Sequence, residues 1–164
     1  VTGRPPAPEL SAALAVPPTM DLLVGPDRLD INGHMGFRHY FDLASEAMRP
    51  LFEQQLEVDG PYRLERRLGF FVVEHRLRYL AEVHAGHRVT AHAAIAAVGR
   101  RSMEIRTILV NRTTDAVSYV MDAQFVHIDL RTRASAPFPP DLERRLRAAT
   151  AGAAEPAGRD QHNV

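Results

Sequence analysis

The sequence predicts an α+β domain in which one long helix and one antiparallel sheet cover each other. Three observations carry this: a single long stretch of helical periodicity, four consecutive strand-like segments after it, and breaks between those strands short enough to make them antiparallel neighbours. In the helical stretch, Phe37, Tyr40, Phe41, Ala44, Ala47, Met48, Leu51, Phe52 and Leu56 recur at three- and four-residue steps. Arg38, Asp42, Ser45, Glu46, Arg49, Glu53 and Gln54 fill the other side. Pro50 lacks the N–H that would bond the Glu46 carbonyl, and its ring crowds that oxygen, so the helix is expected to kink or divide between them.

The strand segments are Phe70 to Val83, Arg88 to Val98, Ser102 to Asn111 and Val117 to Asp129, rich in β-branched and other apolar residues. Turn chemistry separates them at Ala85-Gly86, Gly99-Arg100 and Thr113-Thr114-Asp115. An early strand within Met20 to Leu29 brings the sheet to five, and a short helix is expected after Pro140. Along the Phe70 segment, period two places Phe71, Val73, His75, Leu77 and Tyr79 on one face, with Glu74, Arg76 and Arg78 on the other.

The chain has 164 residues, 45% of them hydrophobic, enough for one core and one domain, expected over residues 20–150. Residues 1–19 carry Pro5, Pro6, Pro8, Pro17 and Pro18 among small residues and lack the layout of a secretory signal, so a disordered lead is expected there. Residues 151–164 are small, polar and aperiodic, and a disordered tail is expected. With no run of about 18 apolar residues and no signal, the expected location is cytoplasmic, with no membrane partner.

Composition removes several chemistries. The absence of Cys excludes a thiol nucleophile, a disulfide framework and zinc-thiolate or iron–sulfur sites. Every basic residue is Arg, so no Schiff base, pyridoxal anchor or P-loop lysine can form. Twenty basic residues balance 20 acidic ones, which argues against nucleic acid as a partner.

Between the early strand and the long helix stands Asp30-Ile31-Asn32-Gly33-His34-Met35-Gly36. A carboxylate, an amide and an imidazole lie within five residues, next to a helix start whose N–H groups and dipole favour developing negative charge. The layout suits attack on a carbonyl, with Asp30 as base or nucleophile and a helix N–H as oxyanion donor. By composition alone the commoner reading of such a stretch is a turn that caps the helix.

This stretch resembles the signature of hotdog-fold acyl-CoA thioesterases: an Asp followed at the third position by Gly, then His and an apolar residue, then a Tyr on the long helix. Asp30, Gly33, His34, Met35 and Tyr40 match, as does the acidic-Ala pair Glu46-Ala47. The resemblance continues through FFVVEHRLRYLAEVHAGHRV over residues 70–89, Gly99-Arg100-Arg101-Ser102, Asn111-Arg112-Thr113-Thr114 and the last long strand. It implies a hotdog fold, a long helix wrapped by a five-stranded antiparallel sheet, and hydrolysis of a small acyl-CoA without a cofactor. In the 4-hydroxybenzoyl-CoA thioesterase branch, the catalytic carboxylate matches Asp30, and the backbone N–H that polarises the thioester matches Phe37. The paired arginines that contact the CoA nucleotide match Arg100 and Arg101. His34 is expected to position the loop or substrate, and Asn32 to contact substrate. Ser45 stands where that branch has an acidic residue facing the substrate's hydroxyl, which argues against a hydroxybenzoyl group. Gly36-Phe37 replaces the Asn-Asn of many relatives. NGHM together with VEHRLRYLAEVHAG is also similar to thioesterases of carnitine breakdown that act on betainyl-CoA. A hotdog dehydratase or hydratase and a non-catalytic acyl-CoA-binding module are the alternatives.

His84, His87 and His92 are read as solvated histidines, since a shared metal site would need a carboxylate that nothing identifies. His75 is either a core histidine or a site residue. Glu74 is either a surface carboxylate or one that faces a dimer partner. Phe37, Tyr40, Phe41 and Tyr79 are mostly core by spacing, with Tyr40 a candidate for the acyl pocket. A homodimer or dimer of dimers is expected, because one helix cannot cover both faces of the sheet and the family's sites form between subunits.

Overall fold

The computed structural model describes residues 6–151; the expected tail, beyond residue 151, lies outside them. Strands β1 (Met20–Leu23), β2 (Leu68–Tyr79), β3 (Arg88–Val98), β4 (Ser102–Asn111) and β5 (Ala116–Asp129) form an antiparallel sheet in the order β1-β3-β4-β5-β2. A two-residue strand β6 (Ala134–Ser135) adds to β5, making six in all. The long helix α2 (Phe37–Ala47) lies on one face of β3, β4 and β5, the hotdog arrangement the resemblance implies. Tyr40, Leu43, Ala44 and Ala47 pack there on Val89, Ala91, Ala93, Ile95, Ile105, Leu109, Met121 and Ala123. Alanine on both partners lets the helix seat close to the sheet. As Pro50 demands, α2 ends at Ala47 and the chain resumes as a short wide-turn helical segment, Leu51–Gln55.

Strands β3 and β4 coincide with their expected bounds, whereas the early strand stops at Leu23, where Gly25-Pro26 leads into a 3-10 turn, Pro26–Arg28. Helix α3 (Gly60–Arg66), which the periodicity does not reveal, is started by the Asp59 carboxylate accepting the Tyr62 N–H at 3.0 Å and by Pro61 in its first turn. It stops at Arg67, which takes a left-handed φ of 57°. Helix α4 (Pro140–Ala151) follows the Pro signal.

Part of the expected disordered lead is folded. Helix α1 (Leu10–Leu14) sits on the sheet face opposite α2, where Leu10, Ala13 and Leu14 cover Ile108, Val110 and Val120. It is too short to show a period in the sequence. The apolar patch it covers explains why it orders. His92 is correspondingly buried rather than solvated, bonded to the Val16 carbonyl at 2.6 Å and the Thr90 hydroxyl at 2.9 Å. The middle of this outer face is polar, with Glu74 and Glu104 flanking Gln124, and Arg76 and Arg106 flanking Asp122.

A bulge at Val73 breaks the alternation expected along β2. Before it, Phe70 and Val72 share the α2 face with Phe125; after it, His75, Leu77 and Tyr79 do. Phe71 is therefore on the other face, where the Arg133 guanidinium lies 4.9 Å from its ring centre. Phe70 instead packs on Phe52, His127 and Phe138.

His127 is fully buried in that aromatic cluster. Its Nδ1 faces the Ala136 carbonyl at 3.0 Å, which can only accept, so the neutral ring takes the Tyr62 hydroxyl proton on Nε2 at 2.8 Å. Burial holds the imidazole below its ordinary 6.5 and pushes the Tyr62 phenol up to about 12. Below 6.5 the unfolded chain gains a proton that the folded chain refuses, so the stabilisation is complete above 6.5 and declines as pH falls through the lower folded value. The denaturation midpoint should follow that course. Tyr62→Phe, which orphans Nε2, should cost about 1–3 kcal/mol in chemical denaturation at neutral pH.

Candidate active site

After the 3-10 turn, Leu29 and Met35 form an isolated bridge that closes the turn between them. The Asp30 N–H donates to the His34 carbonyl at 2.9 Å and the Gly33 N–H to the Asp30 carbonyl at 3.1 Å. Gly33 takes φ +82°, a conformation that disfavours any side chain. Asp30 Oδ1 accepts the Asn32 N–H at 2.8 Å, which fixes the carboxylate's orientation, while Oδ2 lies 3.6 Å from His34 Nδ1. Both side chains are about one-third exposed, so the carboxylate is oriented by backbone and still open to a ligand.

Helix α2 begins beside it. A Cβ placed on Gly36 would stand 3.7 Å from the Asp30 Cβ, so the carboxylate is rooted against the helix start. Gly36 gives no side-chain cap; the His39 N–H turns back to the Gly36 carbonyl at 2.9 Å, which leaves those of Phe37 and Arg38 without an intrahelical acceptor. A carboxylate beside uncapped N–H groups at the positive end of a helix pairs a proton acceptor with a site for developing negative charge.

The segment after β2 braces both parts. The Met35 N–H donates to the Val83 carbonyl at 2.7 Å, and the Val83 N–H donates to the Tyr40 hydroxyl, which in turn donates to Ala81. Tyr40 is buried with its hydroxyl committed to this brace, so it supports the site from beneath rather than lining it. Burial above all, then Glu82 and Asp30, hold its phenol above the ordinary value, against the lowering by the Val83 N–H. Phe37, expected in the core, is instead 73% exposed. Tyr79 reaches it by donating to the Phe37 carbonyl at 3.2 Å, and its ring packs on Tyr40 and Tyr119.

Other candidates stand apart from Asp30 within the chain. His75 is exposed rather than core, with its ring edge-on to Phe41 at 5.1 Å. Glu74 is on the outer sheet face, exposed and 3.5 Å from Arg76. Arg100 and Arg101 form the β3–β4 turn, closed by the Gly99 N–H donating to Ser102, and Arg101 also reaches Ser135. That turn is at the opposite end of β3 from the Asp30 turn, on the order of 30 Å away at strand spacing. Among the described residues, no three of His, Asp and Glu gather in a way that would hold a metal ion, and no helix is long and apolar enough to cross a membrane. His84, read as a solvated turn residue, instead meets the Gly33 carbonyl through Nδ1 at 3.0 Å. A His near the sheet end carries no signal in the sequence of what it will face.

Solved structures share this architecture. A Staphylococcus aureus protein crystallised in complex with CoA superposes with a TM-score of 0.77 at 16% identity, covering 88% of this chain and 92% of that one. A 1,4-dihydroxy-2-naphthoyl-CoA thioesterase from Synechocystis gives 0.68 at 15% identity, covering 78% and 93%. An L-carnitine dehydrogenase/betainyl-CoA thioesterase of Agrobacterium fabrum is 26% identical over 118 residues, 72% of this chain. The chain spans about a quarter (24%) of the length of that curated relative. The model of the Thioesterase-like superfamily matches residues 24–146, three-quarters of the sequence and all of the fold that holds the Asp30 turn and α2, and the chain belongs to that superfamily.

Proposed function

We propose that the protein is an acyl-CoA thioesterase whose reacting groups are the Asp30 carboxylate and the backbone N–H of Phe37. The observation that carries this reading is the backbone-oriented, partly exposed Asp30 beside the uncapped start of α2. The thioester oxygen accepts the Phe37 N–H, which polarises the carbonyl. Asp30 takes a proton from water as the oxygen adds to the carbonyl carbon, or it adds itself and the resulting anhydride is hydrolysed. Collapse of the tetrahedral species breaks the C–S bond and releases the CoA thiolate and, in sum, the free acid. His34, 3.6 Å from Oδ2, orients the carboxylate, and Asn32 fixes Oδ1 through its N–H.

The site is completed by a second copy of the chain. Among the described residues, strand β2 has a neighbour on one side only, and it carries exposed Val72, Val73, Leu77 and Tyr79. The Asp30 turn is at the Tyr79 end of β2, whereas the Arg100–Arg101 turn is at the Leu68 end, since Ser102 and Phe71 both pair with Val126. Antiparallel pairing of two β2 edges therefore brings Arg100 and Arg101 of the partner subunit toward Asp30, where Arg forks suit the nucleotide phosphates of CoA. Glu74, midway along β2, then faces the dimer seam. Sedimentation should report a dimer or dimer of dimers at micromolar concentration; a stable monomer contradicts this assembly.

The acyl group is small and cationic, of the betainyl type. The exposed Phe37 and Tyr79 rings beside Asp30 offer faces to a quaternary ammonium, each contributing about 0.5–2 kcal/mol. The likeness to the Agrobacterium fabrum protein supports the same class.

Asp30→Asn keeps the turn's hydrogen bonding but loses basicity and nucleophilicity, so it should fold normally and lose turnover by about 10²-fold or more in a free-thiol release assay. Comparable turnover in the folded variant rejects Asp30. Arg100→Ala with Arg101→Ala should raise KM for acyl-CoA about tenfold, less so at high salt, and leave KM for the matching acyl-pantetheine unchanged. Mixing those subunits with Asp30→Asn subunits should restore low-KM turnover, because each mixed dimer rebuilds one complete site. Betainyl-CoA should have a higher kcat/KM than tert-butylacetyl-CoA, its neutral isostere; the reverse order leaves a general acyl-CoA thioesterase.

A further inference from the structure

We propose that His84 is a positioning residue that aims the Asp30 carboxylate by holding the apex of its turn, an inference that rests on the role given to Asp30 above. The hydrogen bonds Asp30 N–H to His34, Gly33 N–H to Asp30 and Asn32 N–H to Asp30 Oδ1 are all internal and set the turn's shape. Met35 to Val83 and Gly36 to Arg28, at 2.7 and 2.9 Å, fix its base. Among the described residues, the bond from His84 Nδ1 to the Gly33 carbonyl is the one that ties residues 30–34 to another part of the chain. A carbonyl only accepts, so Nδ1 carries the proton. A Cβ on Gly33 would meet nothing within 4 Å, so packing does not hold the apex either. Without His84 the turn keeps its shape but can pivot on its base, carrying the carboxylate away from the α2 start.

His84 is itself held. Its N–H donates to His87 Nδ1 at 3.3 Å, and the same nitrogen accepts from buried Asn111 Nδ2 at 2.8 Å. The Thr113 N–H, donating to Asn111 Oδ1 at 3.1 Å, fixes which way that amide points. On the other edge of the ring, Nε2 lies 3.5 Å from Glu82. The chain from β4 through Asn111 and His87 thus delivers a ring whose Nδ1–H meets Gly33. This is a scaffold for orientation, since a misplacement of about 1 Å can cost on the order of 10²-fold in rate.

The test uses betainyl-CoA and tert-butylacetyl-CoA hydrolysis by variants of the 164-residue chain, with circular dichroism confirming the fold. His84→Ala should lower kcat at least tenfold while KM stays within twofold, because CoA contacts are untouched. His84→Asn, whose Nδ2 can take the place of Nδ1, should recover most of the lost kcat. Wild-type kcat in His84→Ala, or a His84→Asn variant as impaired as His84→Ala, overturns the proposal. If His84→Ala does not fold, the His84→Asn comparison with His84→Leu decides on the same criterion. Full turnover in Asp30→Asn instead removes the reading on which the inference rests, whereas an inactive Asp30→Asn with an unimpaired His84→Ala removes the inference alone.

Discussion

The hydrogen bond from the Met35 N–H to the Val83 carbonyl is the constraint on which the site depends. Val83 is fully buried, and its N–H goes to the Tyr40 hydroxyl, so the backbone of one residue joins the turn, the long helix and the segment leaving β2. Two stretches more than forty residues apart in sequence meet there, one hydrogen bond running between backbone atoms and the other using the Tyr40 side chain. The base of the Asp30 turn is therefore set below the surface. The exposed residues of the mouth, Ile31 and Phe37 among them, can differ without disturbing it.

How much of this the sequence disclosed follows from which forces act locally. The bounds of β3 and β4 were legible because each is a continuous run closed by turn residues at both ends, and the break in the long helix because Pro50 acts on its own carbonyl ladder. Helix α3 was signalled by Asp59-Gly60-Pro61, a start signal that a search for apolar periodicity passes over. Asp30, Gly33 and His34 stand together because they are neighbours in the chain. The Tyr40 hydroxyl's commitment, the exposure of Phe37 and the contact between His84 and Gly33 depend on tertiary geometry, and no local pattern encodes them.

The outer face of the sheet shows how one helix suffices for a sheet with two sides. Its apolar patch of Ile108, Val110 and Val120 lies under α1, and the next two rows across the strands are polar, Arg76, Asp122 and Arg106 in one and Glu74, Gln124 and Glu104 in the other. Asp122 is nearly buried there, but Arg106 Nε meets it at 2.6 Å, so the charge is compensated where water is scarce. A second full covering layer is therefore unnecessary.

The bulge at Val73 divides β2 into two reading frames. Residues before it are counted in one parity and serve the aromatic cluster of Phe52, His127 and Phe138; residues after it are counted in the other and end in Tyr79 against Phe37. Drawing Val73 into regular pairing, with no residue left over, would slip the register by one and turn every side chain from Glu74 to Tyr79 to the opposite face. The single extra residue thus works as a phase shifter. It lets the two ends of one strand, the first facing the aromatic core and the second the candidate catalytic turn, answer to separate packing requirements within one unbroken sheet.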